Sequence, residues 1–302
     1  MTKSTKWFLG ILAGLLLVGV LFTLLLYSVR SLPTGGAETV VTGSGGKIAV
    51  VELRGVIGSS EEFVRQVKKY RDDRSVKALL IRIDSPGGGV VPSQEMYEEL
   101  RKTREEGKPV VVSMGSLAAS GGYYVACGGS RLVANRGTLT GSIGVISEFL
   151  QFREAMDKLG IGVTTIKSGS MKDAGSATRP MTEQDRAYFQ KLMDEVHRQF
   201  MGVVEKERNL EHRRVVGLAD GRVFTGEQAV ELSLVDTLGT YEEAIMIAAG
   251  MAGIDGTPAL VRERKRATFW GNMLGDMSET VKDLKQEVLD RPVMSYRYTG
   301  PY

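Results

Sequence analysis

Three short segments carry groups that could do chemistry: Asp84-Ser85-Pro86-Gly87-Gly88-Gly89, Ala119-Ser120-Gly121-Gly122-Tyr123-Tyr124 and Lys167-Ser168-Gly169-Ser170-Met171-Lys172-Asp173. Consecutive glycines let bare N–H groups approach a ligand closely. Where they open a helix, such groups suit an anion, either a phosphate or a developing oxyanion. No Gly-Lys-Ser/Thr follows the run, so it is not a Walker A loop, and an ordinary turn would explain it equally well. Ser120 lies between small residues before an apolar stretch. There it could cap a helix or leave room for a substrate carbonyl. The third segment offers two lysines, Lys167 and Lys172. A serine hydroxyl is a poor nucleophile unless a neighbour takes its proton, and lysine is a known substitute for histidine in that role. A lysine base must be neutral near pH 7 against a reference of about 10.4, a cost of about 4 kcal/mol at 1.36 kcal/mol per unit. Burial can impose the shift. A carboxylate would oppose it, so Asp173 is expected to point away from the base.

Other titratable groups offer less. His197 falls in an amphipathic helical stretch and His212 in Glu211-His212-Arg213-Arg214, so both read as solvated surface residues. No His/Cys spacing matches a zinc site, and no cofactor or metal is expected. Cys127, the only cysteine, ends the apolar run Tyr124-Val125-Ala126-Cys127 and reads as a buried structural thiol. The net charge of +3 and the lack of a basic run with interleaved aromatics argue against nucleic-acid binding.

The elements that must position these groups alternate. β-branched runs at 48–53, 76–83, 110–112 and 161–166 predict buried strands, with helices at 61–70 and 93–105 between them. That alternation predicts an α/β fold with a mostly parallel sheet. All three segments follow strands or nearly so, at the carboxyl ends where α/β sites lie. Residues 182–208 read as one long helix: Thr182-x-x-Asp185 resembles a capping box, and Phe189, Met193, Val196 and Phe200 follow at helical spacing. Residues 218–239 are turn-rich.

Residues 7–29 carry no charge. As a helix they span roughly 34 Å, enough for a hydrocarbon core of about 30 Å. The run is too long for a cleavable signal peptide, and Arg30-Ser31-Leu32-Pro33 offers no small-residue cleavage pattern, so an uncleaved transmembrane anchor is expected. Lys3 and Lys6 precede it, which keeps residues 1–6 in the cytoplasm and exports the rest. Residues 30–46 read as a flexible tether, 47–255 as the folded domain, and 256–302 as a basic, amphipathic helical tail that packs on its own domain or on a neighbouring copy.

Four motifs occur in one order: Asp84-Ser85-Pro86-Gly87-Gly88, Ala119-Ser120-Gly121-Gly122-Tyr123-Tyr124, Thr140-Gly141-Ser142-Ile143-Gly144-Val145 and Gly221-Arg222-Val223-Phe224-Thr225-Gly226. Together they resemble the signal peptide peptidase A family of serine peptidases, with its Clp-protease/crotonase fold, over residues 47–250. The resemblance implies Ser120 as nucleophile and Lys172, rather than Lys167, as general base. It further implies Gly87 and Gly121 N–H groups as the oxyanion hole, and Ser142 orienting the lysine. It also implies homo-oligomers acting on apolar, signal-peptide-like peptides. Ser233-Leu234-Val235-Asp236 departs from the family, which often has Gly first. Two other readings share the fold: a crotonase-type acyl-CoA enzyme, and an inactive membrane scaffold.

Overall fold

The structure, a computed structural model, describes residues 43–264 and 295–298, the backbone of residues 37–40, and the single positions Trp7 and Gly19. By internal contacts the chain divides into two units, residues 1–37 with 264–266 and the remainder. All three chemistry-bearing segments belong to the second unit.

The first half of the fold alternates as expected: β1 (Ala37–Val40), β2 (Lys47–Arg54), α1 (Glu61–Asp72), β3 (Val76–Ser85), β4 (Gly87–Gly89), α2 (Val90–Glu105), β5 (Val110–Ala119) and α3 (Gly121–Ala126). Next in the chain are β6 (Arg131–Ala134), β7 (Leu139–Gly141), α4 (Arg153–Lys158), α5 (Glu183–Arg208) and α6 (His212–Leu218). The remainder is β8 (Val223–Thr225), α7 (Gly226–Glu231), β9 (Thr237–Leu238), α8 (Tyr241–Met251), β10 (Ala259–Arg264) and β11 (Ser295–Arg297). Among the described residues the main sheet runs β1-β10-β2-β3-β5-β6-β9, with β7 joining β5. The pairs β10·β2, β2·β3, β3·β5, β5·β6 and β6·β9 are parallel.

The strands are apolar on both faces because both faces are covered. Ala49, Val51, Leu79, Ile81 and Ile83 join the core under α1, α2, α3 and α5. The alternate residues Ile48, Val50, Ala78 and Leu80 meet Ala244, Ile245 and Ala248 of α8 on the other face. The Lys108 ammonium donates to the carbonyls of Tyr70 (2.6 Å), Arg71 (2.7 Å) and Asp73 (2.8 Å), pinning the end of α1 beside the start of β5. Cys127 is buried, and burial pushes its thiol up to about 12.

The capping box of α5 is present: Thr182 Oγ1 accepts from Asp185 N, and the Asp185 side chain accepts from Thr182 N. Three expectations are corrected. Residues 161–166 form no strand; Ile161, Val163 and Ile166 are solvent-facing, and among the described residues no strand edge pairs with their backbone. His197 is half-buried rather than fully solvated: its Nε2 is enclosed and has no hydrogen-bond partner among the described residues. Residues 259–264 and 295–297 of the expected helical tail are strands, recruited by the exposed edges of β2 and β4. Residues 265–294, and with them the expected amphipathic helix, lie outside the described residues. So does the expected anchor at 7–29, apart from Trp7 and Gly19; among the described residues no helix is long and apolar enough to cross a membrane.

Candidate active site

Ser120 sits between the end of β5 and the start of α3 with φ 54° and ψ −117°. A side-chain-bearing residue in this region costs of order 1–3 kcal/mol and persists only where its surroundings impose it. Here they do. The Ser120 N–H donates to the Gly141 carbonyl (2.8 Å), and the Ser120 carbonyl accepts from Tyr124 N (2.8 Å). Despite its place at the head of α3, Ser120 makes no side-chain cap bond, so capping is not what the hydroxyl does.

The glycine run meets it. Pairing between β3 and β5 is regular to Ile83↔Met114 and then shifts, so that Ser85 faces Ala118. Asp84 fills the irregularity, its carboxylate accepting from Leu117 N (3.1 Å). Gly87, at φ +94°, folds the chain back. A Cβ there would overlap the Tyr296 carbonyl oxygen and come within 2.5 Å of Gly121 N, so the position admits only glycine. A Cβ on Gly121 would meet Ser93 Oγ at 2.6 Å and both Gly88 N and the Tyr296 oxygen at 3.1 Å. Gly87, Gly88 and Gly121 thus converge on one point, held by a carbonyl oxygen.

The N–H groups at that point are not equivalent. Gly87 N donates to Ser85 Oγ (3.1 Å), which itself donates to the Gly55 carbonyl (2.6 Å). The Gly87 carbonyl and the Gly89 N–H both bond Ile57 (2.9 and 2.7 Å). Alternation along the strand turns the Gly88 N–H the opposite way, towards Tyr296. Gly88 is thus a donor that sequence reasoning passes over, although it stands in the quoted glycine motif.

Ser142 follows Gly141, the residue opposite Ala119 in the β5·β7 pairing, and is buried next to the Ser120 turn with φ 50°. Lys172 makes no hydrogen bond to Ser120 or Ser142. Its side chain is exposed and makes no hydrogen bond or ion pair among the described residues; its backbone N–H bonds Gly169 O at 3.1 Å. Lys167, by contrast, is engaged by Asp173 (2.6 Å) and by the Ser170 carbonyl (2.9 Å). Asp173 also takes Arg179 (3.0 Å). Hydrogen bonds from Arg179 and then Lys167 hold its carboxyl down to about 2. The Asp173 carboxylate thus bonds Lys167 and Arg179, not Lys172.

Beside the glycines lies a packed aromatic cluster. Tyr124 packs edge-on to Tyr97 (5.3 Å) and Phe200 (5.0 Å), and stacks on Tyr296 (5.3 Å). Glu207 fixes α5 over α2 by accepting from Tyr97 Oη (2.7 Å) and pairing with Arg104. Among the described residues no group of three or more His, Cys, Asp or Glu side chains could hold a metal.

Known proteins resemble the chain over the same region. The model of peptidase family S49 matches residues 102–255. A Synechocystis sp. protein named as a protease is 45% identical over 210 residues, 69% of this chain and 76% of that protein. An Enterococcus faecium protein named as a signal peptide peptidase, SppA, is 34% identical over 279 residues, 87% of this chain and 80% of that one. Protease 4 of Haemophilus influenzae is 35% identical over 208 residues, 66% of this chain but 34% of its own length.

Proposed function

From the premise that this chain belongs to peptidase family S49 and is a serine peptidase of the signal peptide peptidase A type, we propose that Ser120 is its nucleophile and Lys172 its general base. One observation carries the reading of Ser120: a serine strained into positive φ, excused from capping, beside Gly87 and Gly121, which crowd a carbonyl oxygen that any side chain there would strike. Ser120 Oγ attacks the substrate carbonyl carbon while its proton passes to the lysine amine. The oxyanion is held by Gly121 N and an N–H of the Gly87-Gly88 turn, donors already in position before charge develops. Collapse expels the amine, and water releases the acyl group. Ser142, on the same turn, orients the lysine.

Within one chain the exposed Lys172 makes no hydrogen bond to the buried Ser120, which supports a dyad that closes between copies. A lysine acts as base where burial disfavours its charged form, and a second copy settling on this segment would supply that burial. Leu150, Phe152, Leu159, Ile161, Val163 and Ile166 surround the lysine segment with exposed apolar surface, as an interface between copies requires. The uncharged run at 7–29 supports a single-pass anchor with the catalytic domain outside the cytoplasm. The likeness to a protein named as a signal peptide peptidase, together with the apolar residues packed around Ser120, supports signal peptides or other membrane-derived peptides as substrates. Nothing in the site favours an acyl-CoA substrate or an inactive scaffold.

The test is complementation. Ser120→Ala and Lys172→Ala should each be inactive on an apolar fluorogenic peptide, and a mixed assembly of the two should regain activity. A mixture that stays inactive, although co-assembly is verified, refutes closure between copies. Peptide cleavage or fluorophosphonate labelling that survives Ser120→Ala refutes the nucleophile.

A further inference from the structure

The glycine turn beside Ser120 is braced from behind. β2 ends at Arg54, opposite Asp84 in its parallel pairing with β3. The residues that follow run along the glycine segment. Gly55 N donates to the Asp84 carbonyl (3.0 Å), Ile57 N to the Gly87 carbonyl (2.9 Å) and Gly89 N to the Ile57 carbonyl (2.7 Å). These bonds are all backbone to backbone. Ser85, the last residue of β3 and 0% exposed, joins them with a side chain.

The Ser85 hydroxyl has a single proton, and its partners fix the direction of both bonds. The Gly55 carbonyl only accepts, so the proton goes there (2.6 Å). The Gly87 N–H only donates, so an Oγ lone pair faces it (3.1 Å). Pro86, between the two, has no N–H to compete. The hydroxyl is therefore locked from both ends, and it ties the chain after β2 to the first amide of the glycine run. The Ser85 backbone reaches the other flank of the site: its carbonyl oxygen lies 3.0 Å from where a Cβ on Gly122 would stand. Ser85 thus stands between the turn that bears the Gly87 and Gly88 amides and the first turn of α3, which bears that of Gly121.

We infer that Ser85 is a positioning residue for peptide hydrolysis: its hydroxyl holds the Gly87 N–H inward and so fixes the turn with the Gly88 N–H facing outward, where an oxyanion develops. This deepens the reaction proposed at Ser120 and rests on it. Oxyanion donors work by being in place before charge appears. A run of glycines has no side chains of its own to hold it and more backbone freedom than any other sequence, so its order has to come from a neighbour. Removing the hydroxyl leaves a buried N–H and a buried carbonyl without partners, and the turn relieves this by rotating. The misplaced donor then binds the transition state less well, while contacts to the rest of the substrate stay as they are.

The experiment measures kcat and KM of the full-length protein on an apolar fluorogenic peptide for wild type, Ser85→Ala, Ser85→Cys and Thr103→Ala. Thr103 controls for the loss of a buried hydroxyl: it is 0% exposed and donates to the Glu99 carbonyl (2.7 Å), at the end of α2 remote from the glycines. Ser85→Ala should lower kcat about 10²-fold, the scale of an ångström's misplacement, with KM within about twofold of wild type. Inhibition by an apolar peptide aldehyde, whose adduct with Ser120 carries an oxyanion, should weaken by a similar factor. The pH profile should keep its wild-type midpoint, because the base is untouched. Ser85→Cys keeps the size but bonds weakly, and should fall between wild type and Ser85→Ala. Thr103→Ala should lose stability in denaturant yet keep its kcat. Should Ser85→Ala fail to fold, Ser85→Cys decides on the same readouts. A folded variant whose kcat stays within about twofold of wild type overturns the inference, as does a loss carried by KM alone. Hydrolysis lost in Ser85→Ala but intact in Ser120→Ala would leave the positioning role standing and remove the nucleophile; the opposite pattern would do the reverse.

Discussion

The two halves of the proposed dyad stand in opposite kinds of structure. Ser120 follows a ten-residue strand, β5, that is buried nearly throughout, and its neighbours fix it by backbone bonds on both sides. Lys172 lies in a stretch whose one helix, α4, buries no residue, and which displays Ile166 at 96% exposure. The proposed nucleophile is held by the fold, whereas the proposed base has an exposed side chain that the described residues leave unheld. The contrast teaches that two residues proposed for one reaction can stand in backbone settings of very different order, so that closing the proposed dyad asks for a further contact on the lysine side.

The sharpest way to break the contrast is activity. Ser120→Ala and Lys172→Ala should each lower kcat/KM by at least about 10³-fold, the scale on which a unit of catalytic groups fails together, whereas Lys167→Ala, which removes an ion pair, should cost under about tenfold. Peptide hydrolysis assayed in parallel checks this; equal loss in both lysine variants would erase the distinction. Next in size is the core. Phe200→Ala should destabilise by about 3–5 kcal/mol, read by denaturant unfolding, because its ring is fully buried against Tyr124 and Tyr296. Thr182→Ala removes half of a capping box and should cost about 1 kcal/mol. On the other side, Ile166→Asp should change folding stability by less than about 0.5 kcal/mol yet shift sedimentation towards single chains; an unchanged assembly would remove this face from the interface.

The smallest effect is acid. The Asp173 carboxyl is depressed to about 2, first by Arg179 and then by Lys167, so it favours the folded state at pH values above its ordinary range. That contribution fades as pH falls from about 4 towards 2. Hydrogen exchange of residues 167–185 should accelerate over that window, with β2, β3 and β5 unaffected.

What is legible in the sequence divides along the same line. The strands at 48–53 and 76–83 and the box at Thr182 and Asp185 can be read because local pattern and final environment agree. The run at 161–166 has strand-like composition, but composition does not supply a neighbouring edge, and the residues stay unpaired by any strand here. The half-burial of His197 escapes the sequence because an amphipathic helix alone does not say that Gly144, Val145 and Asp220 will line a cavity with it. Ser120, Gly87 and Gly121 stand out by residue type, and the structure brings them together. Gly88 does not, because only strand alternation says which amide faces outward. Tyr296 is invisible too: its partners are roughly a hundred or more positions away in sequence, with no local signature.

Cys127 has a practical bearing on all of this. The chain's single thiol is enclosed and held protonated by its surroundings, so maleimides and other alkylating labels should pass it by under native conditions. A cysteine placed at an exposed position such as 166 would then be the sole reactive handle, and spin labels or crosslinkers attached there could map copy-to-copy spacing without first engineering the native residue away.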